Sequence, residues 1–223
     1  MNLNIIPLMP EPLGIFSIPS DKHMEFKKKA QDILETANDN LRERNRNSKN
    51  LLEHICNGKN QDIFSEYKQL HPLRSLLEEY TLNYINEIGY ECDGVIITGA
   101  WLNCGSKNSQ QYPHLHANSY ISGTYYINFD REVHALLDIY NDRLINGTER
   151  KPFLKLPNNK KKQTPYNINK IKVNCNEGDV ILWRSHILHG WTNNLADNRI
   201  TLSFNTMPDF SSDGSVYSLP ITR

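Results

Sequence analysis

Helical periodicity over roughly the first 92 residues, a change to short β-branched and aromatic runs from Val95, and turn signals between those runs predict a mainly β protein. The expected architecture is an antiparallel sandwich or barrel of jelly-roll type, carried on two or more N-terminal helices.

The early elements follow from spacing. Ile5–Leu8 and Gly14–Ile18 read as short strands divided by prolines. Ser20 has the chemistry of an N-cap, and Phe26, Ala30, Ile33, Leu34, Ala37 and Leu41 follow at steps of three and four, giving a helix with one apolar stripe. The polar segment Arg42–Asn50 ends it. A second helix is expected from Pro72 to about Ile88, with Leu73, Leu76, Leu77, Tyr80, Tyr84, Ile85 and Ile88 on its stripe and Gly89 as its stop. Both helices should cover one face of a sheet. His23, His54 and His71 have no partner near in sequence and are assigned to surface or structure.

From Val95 the texture is β. Val95–Cys104 alternates, with Trp101 and Asn103 on one face and Leu102 and Cys104 on the other. Gly105–Gln111 is a polar turn, His114–Phe129 a long strand-forming stretch and Val133–Tyr140 a further strand. Asn141–Tyr166 is a polar loop carrying Lys160, Lys161 and Lys162. Three closing segments follow: Ile171–Cys175 with Val180–Trp183, then His189–Asn193, then Arg199–Thr206.

Bulk properties bound the function. A chain of 223 residues can bury one core, so a single domain over 1–223 is expected, helical support at about 1–92 and a β core at about 93–210. Lys plus Arg and Asp plus Glu are 25 each, so no net field argues for nucleic acid or an anionic membrane. Cys56, Cys92, Cys104 and Cys175 are scattered, without CxxC spacing, which suits reduced thiols better than a disulfide framework or zinc knuckle. The N-terminus lacks the basic start of a signal peptide, and no apolar run is long enough to span a bilayer. A soluble protein of a reducing, cytoplasmic compartment is the expectation. Oligomeric state has no signature in the sequence.

The chemistry concentrates in two segments. In YPHLHANSYISGTYYINF, His114 and His116 stand two apart just before a β run, so in an extended chain they share a face and form half of a metal site. The distant partner is His189, in GDVILWRSHILHGWTNNLADNRITLSFN. Arg199 lies ten residues further on, with Thr201 two beyond it. An arginine inside a barrel must be paired. A guanidinium fork with a nearby hydroxyl suits a carboxylate, so metal plus Arg199 and Thr201 form a device for a small dicarboxylate.

These two segments resemble the iron(II)- and 2-oxoglutarate-dependent oxygenases. They most resemble a phage and bacterial branch with the pattern H-x-H, SG-x-YY, G-D, H-G and R-x-S-x-S-F-N. The resemblance is strong over about residues 95–207 and weak before them. It implies a double-stranded β-helix of the cupin-like jelly-roll class, Fe(II) at His114 and His189, and 2-oxoglutarate at Arg199 with Thr201. Asn103, Tyr126 and Asn128 lie on strands that face the cosubstrate in relatives. The implied reaction uses O2, converts 2-oxoglutarate to succinate and hydroxylates a small molecule or a protein side chain.

One departure matters. Most of the superfamily has His-x-Asp or His-x-Glu, whereas the acidic position here is His116. Three arrangements follow: His116 as a third ligand, a different carboxylate completing the set, or His116 behind the ligands with an extra open position such as halogenases use for chloride. Outside this family, a cupin-like metal dioxygenase or isomerase without 2-oxoglutarate, or a non-catalytic jelly-roll module, would share the fold. His186, Trp183, Trp191, Tyr125 and His134 read as structural. The loops at 105–111 and 141–166, which would select substrate, carry no recognisable pattern.

Overall fold

The computed structural model describes residues 5, 7, 10–44, 49, 51–56, 61–141, 159 and 161–209. Helix α1 spans Ser20–Thr36 and buries His23, Phe26, Ala30 and Ile33, the steps of three and four that make one stripe. Pro19, not Ser20, occupies the N-cap: its carbonyl accepts the His23 N–H at 2.8 Å, so Ser20 is already the first helical residue. The short α2 spans Ile63–Glu66 and is capped by the Asp62 carboxylate, which accepts from Phe64 N at 3.0 Å. Helix α3 runs His71–Glu87, with Pro72 in its first turn and Leu73, Leu77, Thr81, Tyr84 and Ile85 buried. It ends before Gly89, whose φ of 89° is open to glycine and costly for other residues.

The β elements form two antiparallel sheets. Seven strands order as β1 (Leu13–Ser17), β9 (Asp179–Arg184), β6 (Ile121–Asn128), β11 (Arg199–Asp209), β4 (Gly94–Gly105), β3 (Leu52–Ile55) and β2 (Arg42–Arg44). Four more order as β5 (Gln111–His114), β10 (His189–Trp191), β7 (Asp138–Tyr140) and β8 (Lys170–Lys172). This is a double-stranded β-helix backed by helices.

Period-two alternation explains how one sheet serves two purposes. On β11, Ile200, Leu202 and Phe204 enter the main core with Phe26, Ile33, Leu73, Leu77 and Ile85 of the helices. Arg199, Thr201 and Ser203 point the other way and line a cavity. Strand β6 does the same, with Ile121, Tyr125 and Ile127 towards the helices and Ser122, Thr124 and Tyr126 on the cavity side. A second apolar cluster, including Phe129, Leu137, Cys175, Ile181 and Trp183, fills the space on the minor-sheet side. Each fully buried large side chain contributes about 1.5–3 kcal/mol of transfer free energy.

Several sequence expectations are corrected. The His114–Phe129 stretch is not continuous: β5 ends at His114, and β6 begins only at Ile121. Between them the chain is drawn off by the His116 N–H, which donates to Ser185 O at 2.9 Å. Pro113 sits in β5 without penalty because β5 is a sheet edge. Val133–Tyr140 is strand only at its end, since residues 131–133 turn and His134 N donates back to Asp130 O at 2.7 Å. The segment Arg42–Asn50 starts with β2, whose Arg42 bonds Glu53 on β3 at 2.6 Å. Half of Ile5–Leu8 and most of the loop with Lys160 fall outside the described residues. Among the described residues, no helix is long and apolar enough to cross a membrane.

Candidate active site

The antiparallel pairing of β10 with β5 sets His189 directly opposite His114. Gly190 permits this approach: a Cβ there would lie 2.6 Å from Gln111 O and 3.1 Å from Pro113 N. His116, in the turn after β5, brings its ring to 5.1 Å from that of His189, with Nε2 to Nε2 at 3.3 Å. The nearest ring nitrogens of the three histidines lie within 4.8 Å of one another, a spacing one ion can bridge with small side-chain rotations. Among the described residues, no Asp or Glu joins the group.

Hydrogen bonding settles the tautomers of two of them. Nδ1 of His114 lies 2.8 Å from Tyr112 O, and Nδ1 of His189 lies 2.8 Å from Ile187 O. A carbonyl only accepts, so each Nδ1 carries the proton and each Nε2 presents a lone pair. Burial holds all three rings neutral. The His114 pKa falls below its ordinary value, His116 falls to about 4 and His189 to about 3, burial being the main cause and the neighbouring imidazoles adding to it for the latter two. Neutral imidazoles clustered in this way have the donor chemistry of a site for iron or a similar divalent metal.

Strand register then builds the opposite wall. His54 on β3, Asn103 on β4, Thr201 on β11 and Tyr126 on β6 fall in one lateral row. His54 Nδ1 donates to Asn103 Oδ1 at 2.6 Å, and Asn103 Nδ2 donates to Ser203 Oγ at 2.9 Å and, more weakly, to Thr201 Oγ1 at 3.3 Å. Arg199, one step along β11, is 2% exposed. Its Nε donates to Ala135 O at 2.9 Å, and its guanidinium lies 4.2 Å from the Trp191 ring centroid and 5.5 Å from that of Tyr126. No carboxylate of the described residues pairs with it. The buried Trp183 indole N–H has no hydrogen-bond partner among the described residues. The Arg199 wall and the histidine cluster line a shared cavity, open at its mouth.

Of the eight residues expected from the sequence, seven line this cavity: His114, His116, His189, Arg199, Thr201, Asn103 and Tyr126. Asn128 does not. A register shift between Ile200 and Thr201 skips a residue of β6, leaving Asn128 opposite Ile200, and its side chain donates to Asn198 O at 2.7 Å. His54 was missed, because the signal in LLEHI, a histidine inside a short apolar run, is weak without the knowledge that β3 joins the sheet beside β4.

Residues 99–205 match the model of a family described as "Putative 2OG-Fe(II) oxygenase". Over those residues the chain is similar to the 2OG-Fe(II) oxygenases. The matched residues run from β4 to Asn205 on β11 and so contain both site walls except His54. Among solved structures, HygX from Streptomyces hygroscopicus with nickel and 2-oxoglutarate bound is 12% identical, with a TM-score of 0.59 over 90% of this chain and 84% of that one. EctD from S. alaskensis is also 12% identical, with a TM-score of 0.60 over 89% of this chain and 73% of that one. A prolyl-4-hydroxylase from Pseudomonas putida is 9% identical, with a TM-score of 0.53 over 89% and 94%. At these identities the likeness is one of fold. No curated protein matches the sequence.

Proposed function

We propose that this chain is a 2OG-Fe(II) oxygenase that binds Fe(II) through His114, His116 and His189 and binds 2-oxoglutarate through Arg199, with Thr201, Asn103 and Tyr126 around the same cosubstrate. The observation that carries the proposal is Arg199: a buried guanidinium without a carboxylate partner, lining the same cavity as three neutral histidines. A buried cation of this kind is strongly disfavoured unless an anion joins it. A cupin-like enzyme without 2-oxoglutarate would leave it unexplained. The Trp183 N–H, without a partner among the described residues, is a further donor for an anionic ligand.

Fe(II), 2-oxoglutarate and O2 together would supply oxidising power, one oxygen atom going to substrate and the other to succinate as CO2 is released. The chain's own residues do the positioning. Arg199 fixes one end of the cosubstrate in a two-pronged grip, and the ring stack around it keeps that grip dry. Asn103, held by His54 and Ser203, presents a fixed amide edge to the cavity. His114 and His189, tied by Nδ1 to main-chain carbonyls, cannot turn away from the centre.

Hydroxylation of a small molecule or of a protein side chain fits the open mouth. HygX has been solved with hygromycin B present together with nickel and 2-oxoglutarate, so a small-molecule substrate is the first class to try. The proposal treats residues 1–223 as one oxygenase domain, because α1, α3 and the main sheet share one core.

Anaerobic titration with Fe(II) and then 2-oxoglutarate tests it. The expected result is the visible charge-transfer band of the chelate, present in the wild type and lost in Arg199→Ala. Iron binding without any such band would overturn the 2-oxoglutarate assignment.

A further inference from the structure

The main sheet buries a second polar group on its helix side, away from the cavity. Tyr125 on β6 is fully buried, and its hydroxyl lies 2.7 Å from Nδ1 of His23 on α1. Nε2 of the same ring lies 3.1 Å from Glu177 Oε1, which also accepts from Lys27 Nζ at 2.7 Å. Glu177 Oε2 accepts from Phe129 N at 2.9 Å. The Glu177 side chain is 32% exposed, so the row runs from the core to solvent.

The partners fix the protons. Burial pushes the Glu177 carboxyl up, but hydrogen bonds from Lys27, the Phe129 N–H and His23 outweigh it and hold its pKa below the ordinary value. An ionised carboxylate only accepts, so Nε2 of His23 carries a proton. Among the described residues, Nδ1 is the one acceptor bonded to the Tyr125 hydroxyl, so the phenol donates to it. An imidazolium would leave that buried phenol proton without an acceptor. His23 is therefore neutral, a base with a carboxylate behind it.

This arrangement suits the loss of an electron from Tyr125. A phenol is oxidised readily only when its proton leaves together with the electron. Burial raises the Tyr125 pKa well above its ordinary value, so the proton does not leave by itself. Other buried rings lack such a base. Tyr84 donates to the Pro12 carbonyl at 3.0 Å, the Trp183 N–H has no partner among the described residues, and Tyr126 has the Arg199 cation 5.5 Å from its ring centroid.

We infer that Tyr125 is a redox-active tyrosine. It passes one electron to a strong oxidant while its phenolic proton moves to Nδ1 of His23, and Glu177 holds the resulting imidazolium through Nε2–H. Thr124 and Tyr126, its neighbours on β6, line the cavity, so a single strand separates the ring from the proposed metal centre. In the oxygenase proposed above, the oxidant is the one-electron acceptor that O2 and 2-oxoglutarate leave at the centre when no substrate is bound. An external reductant such as ascorbate then returns the electron, and the proton goes back from Nδ1. Tyr125 thereby draws oxidising equivalents away from His189 and Trp183, whose rings meet at 4.7 Å. Only the source of the oxidant rests on the metal site proposed above.

Flash oxidation of the metal-free full chain by a ruthenium tris-bipyridine dye with a sacrificial acceptor, read by electron paramagnetic resonance, tests the pair. A persistent tyrosyl signal is expected in the wild type and should be lost in Tyr125→Phe but kept in Tyr84→Phe. His23→Gln still accepts the phenol hydrogen bond but is no base, so it should lose the signal while circular dichroism shows a folded chain. In the wild type the signal should form more slowly in D2O, because proton and electron leave together. A wild-type trace equal to that of Tyr125→Phe, a folded His23→Gln variant with the wild-type signal, or equal rates in H2O and D2O would overturn the inference. The light-driven signal in a protein that binds no Fe(II) would uphold the redox pair while refuting the metal site. Protein loaded with Fe(II) and 2-oxoglutarate that consumes O2 without raising the Tyr125 signal would refute the assigned oxidant.

Discussion

The proposed site rests on three imidazoles and one guanidinium, and their protonation has measurable consequences. His116 and His189 hold protons more weakly in the fold than in the unfolded chain, where a histidine titrates near 6.5. As pH falls, the unfolded chain therefore takes up protons first. The stability tied to these neutral rings is complete above about 6.5 and is lost as the pH drops towards about 4 for His116 and about 3 for His189. The metal-free wild type should lose more thermal midpoint between pH 7 and pH 5 than a His116→Ala, His189→Ala variant; equal losses would count against the shifts. Arg199→Lys keeps the charge but loses the fork and the flat stack on Trp191. Calorimetry with metal-loaded protein should show 2-oxoglutarate binding weaker by about 2 kcal/mol or more, roughly 30-fold.

At the scale of elements, the close approach of β10 to β5 decides whether the histidines meet. Gly190→Ala puts a methyl group against the Gln111 carbonyl, which belongs to main chain and cannot swing aside. The strand must move and carry His114 from its place opposite His189. A stability loss of about 1–3 kcal/mol is expected from overpacking, with Zn(II) affinity reduced at least tenfold by titration. Helix α3 offers the contrast. Leu77 is fully buried on the helix side of the main sheet, so Leu77→Ala should cost about 2–5 kcal/mol in chemical denaturation. Because the polar face of that sheet is the one lining the cavity, Zn(II) affinity of the folded variant should stay at the wild-type value.

For the whole molecule, the proposed site is a polar cavity between two apolar clusters. Filling it should stabilise the fold by mass action. Ligand at about 100 times its Kd adds about 2.7 kcal/mol, which for a chain of this length raises the thermal midpoint by roughly 5–10 °C. Zn(II) with 2-oxoglutarate should give such a rise in the wild type. In His189→Ala the metal-dependent part should vanish, and in Arg199→Ala the 2-oxoglutarate-dependent part should vanish. A rise that survives in both variants would locate binding elsewhere.

The alternation of Ile200, Leu202 and Phe204 with Arg199, Thr201 and Ser203 was legible in the sequence, because a strand's two faces are fixed by its period. So were α1 and α3, whose stripes repeat at steps of three and four, and the metal-donor chemistry of His114, His116 and His189, which is a property of residue type. What the sequence could not yield was lateral register. The row from His54 through Asn103 and Thr201 to Tyr126, and the line of Tyr125, His23 and Glu177, join residues on different strands, helices and turns. The one-residue slip that turns Asn128 out of the cavity is equally invisible along the chain. Which residues face inward follows from local backbone geometry; which inward-facing residues meet depends on hydrogen-bond pairing between distant segments, and only the folded sheet fixes it.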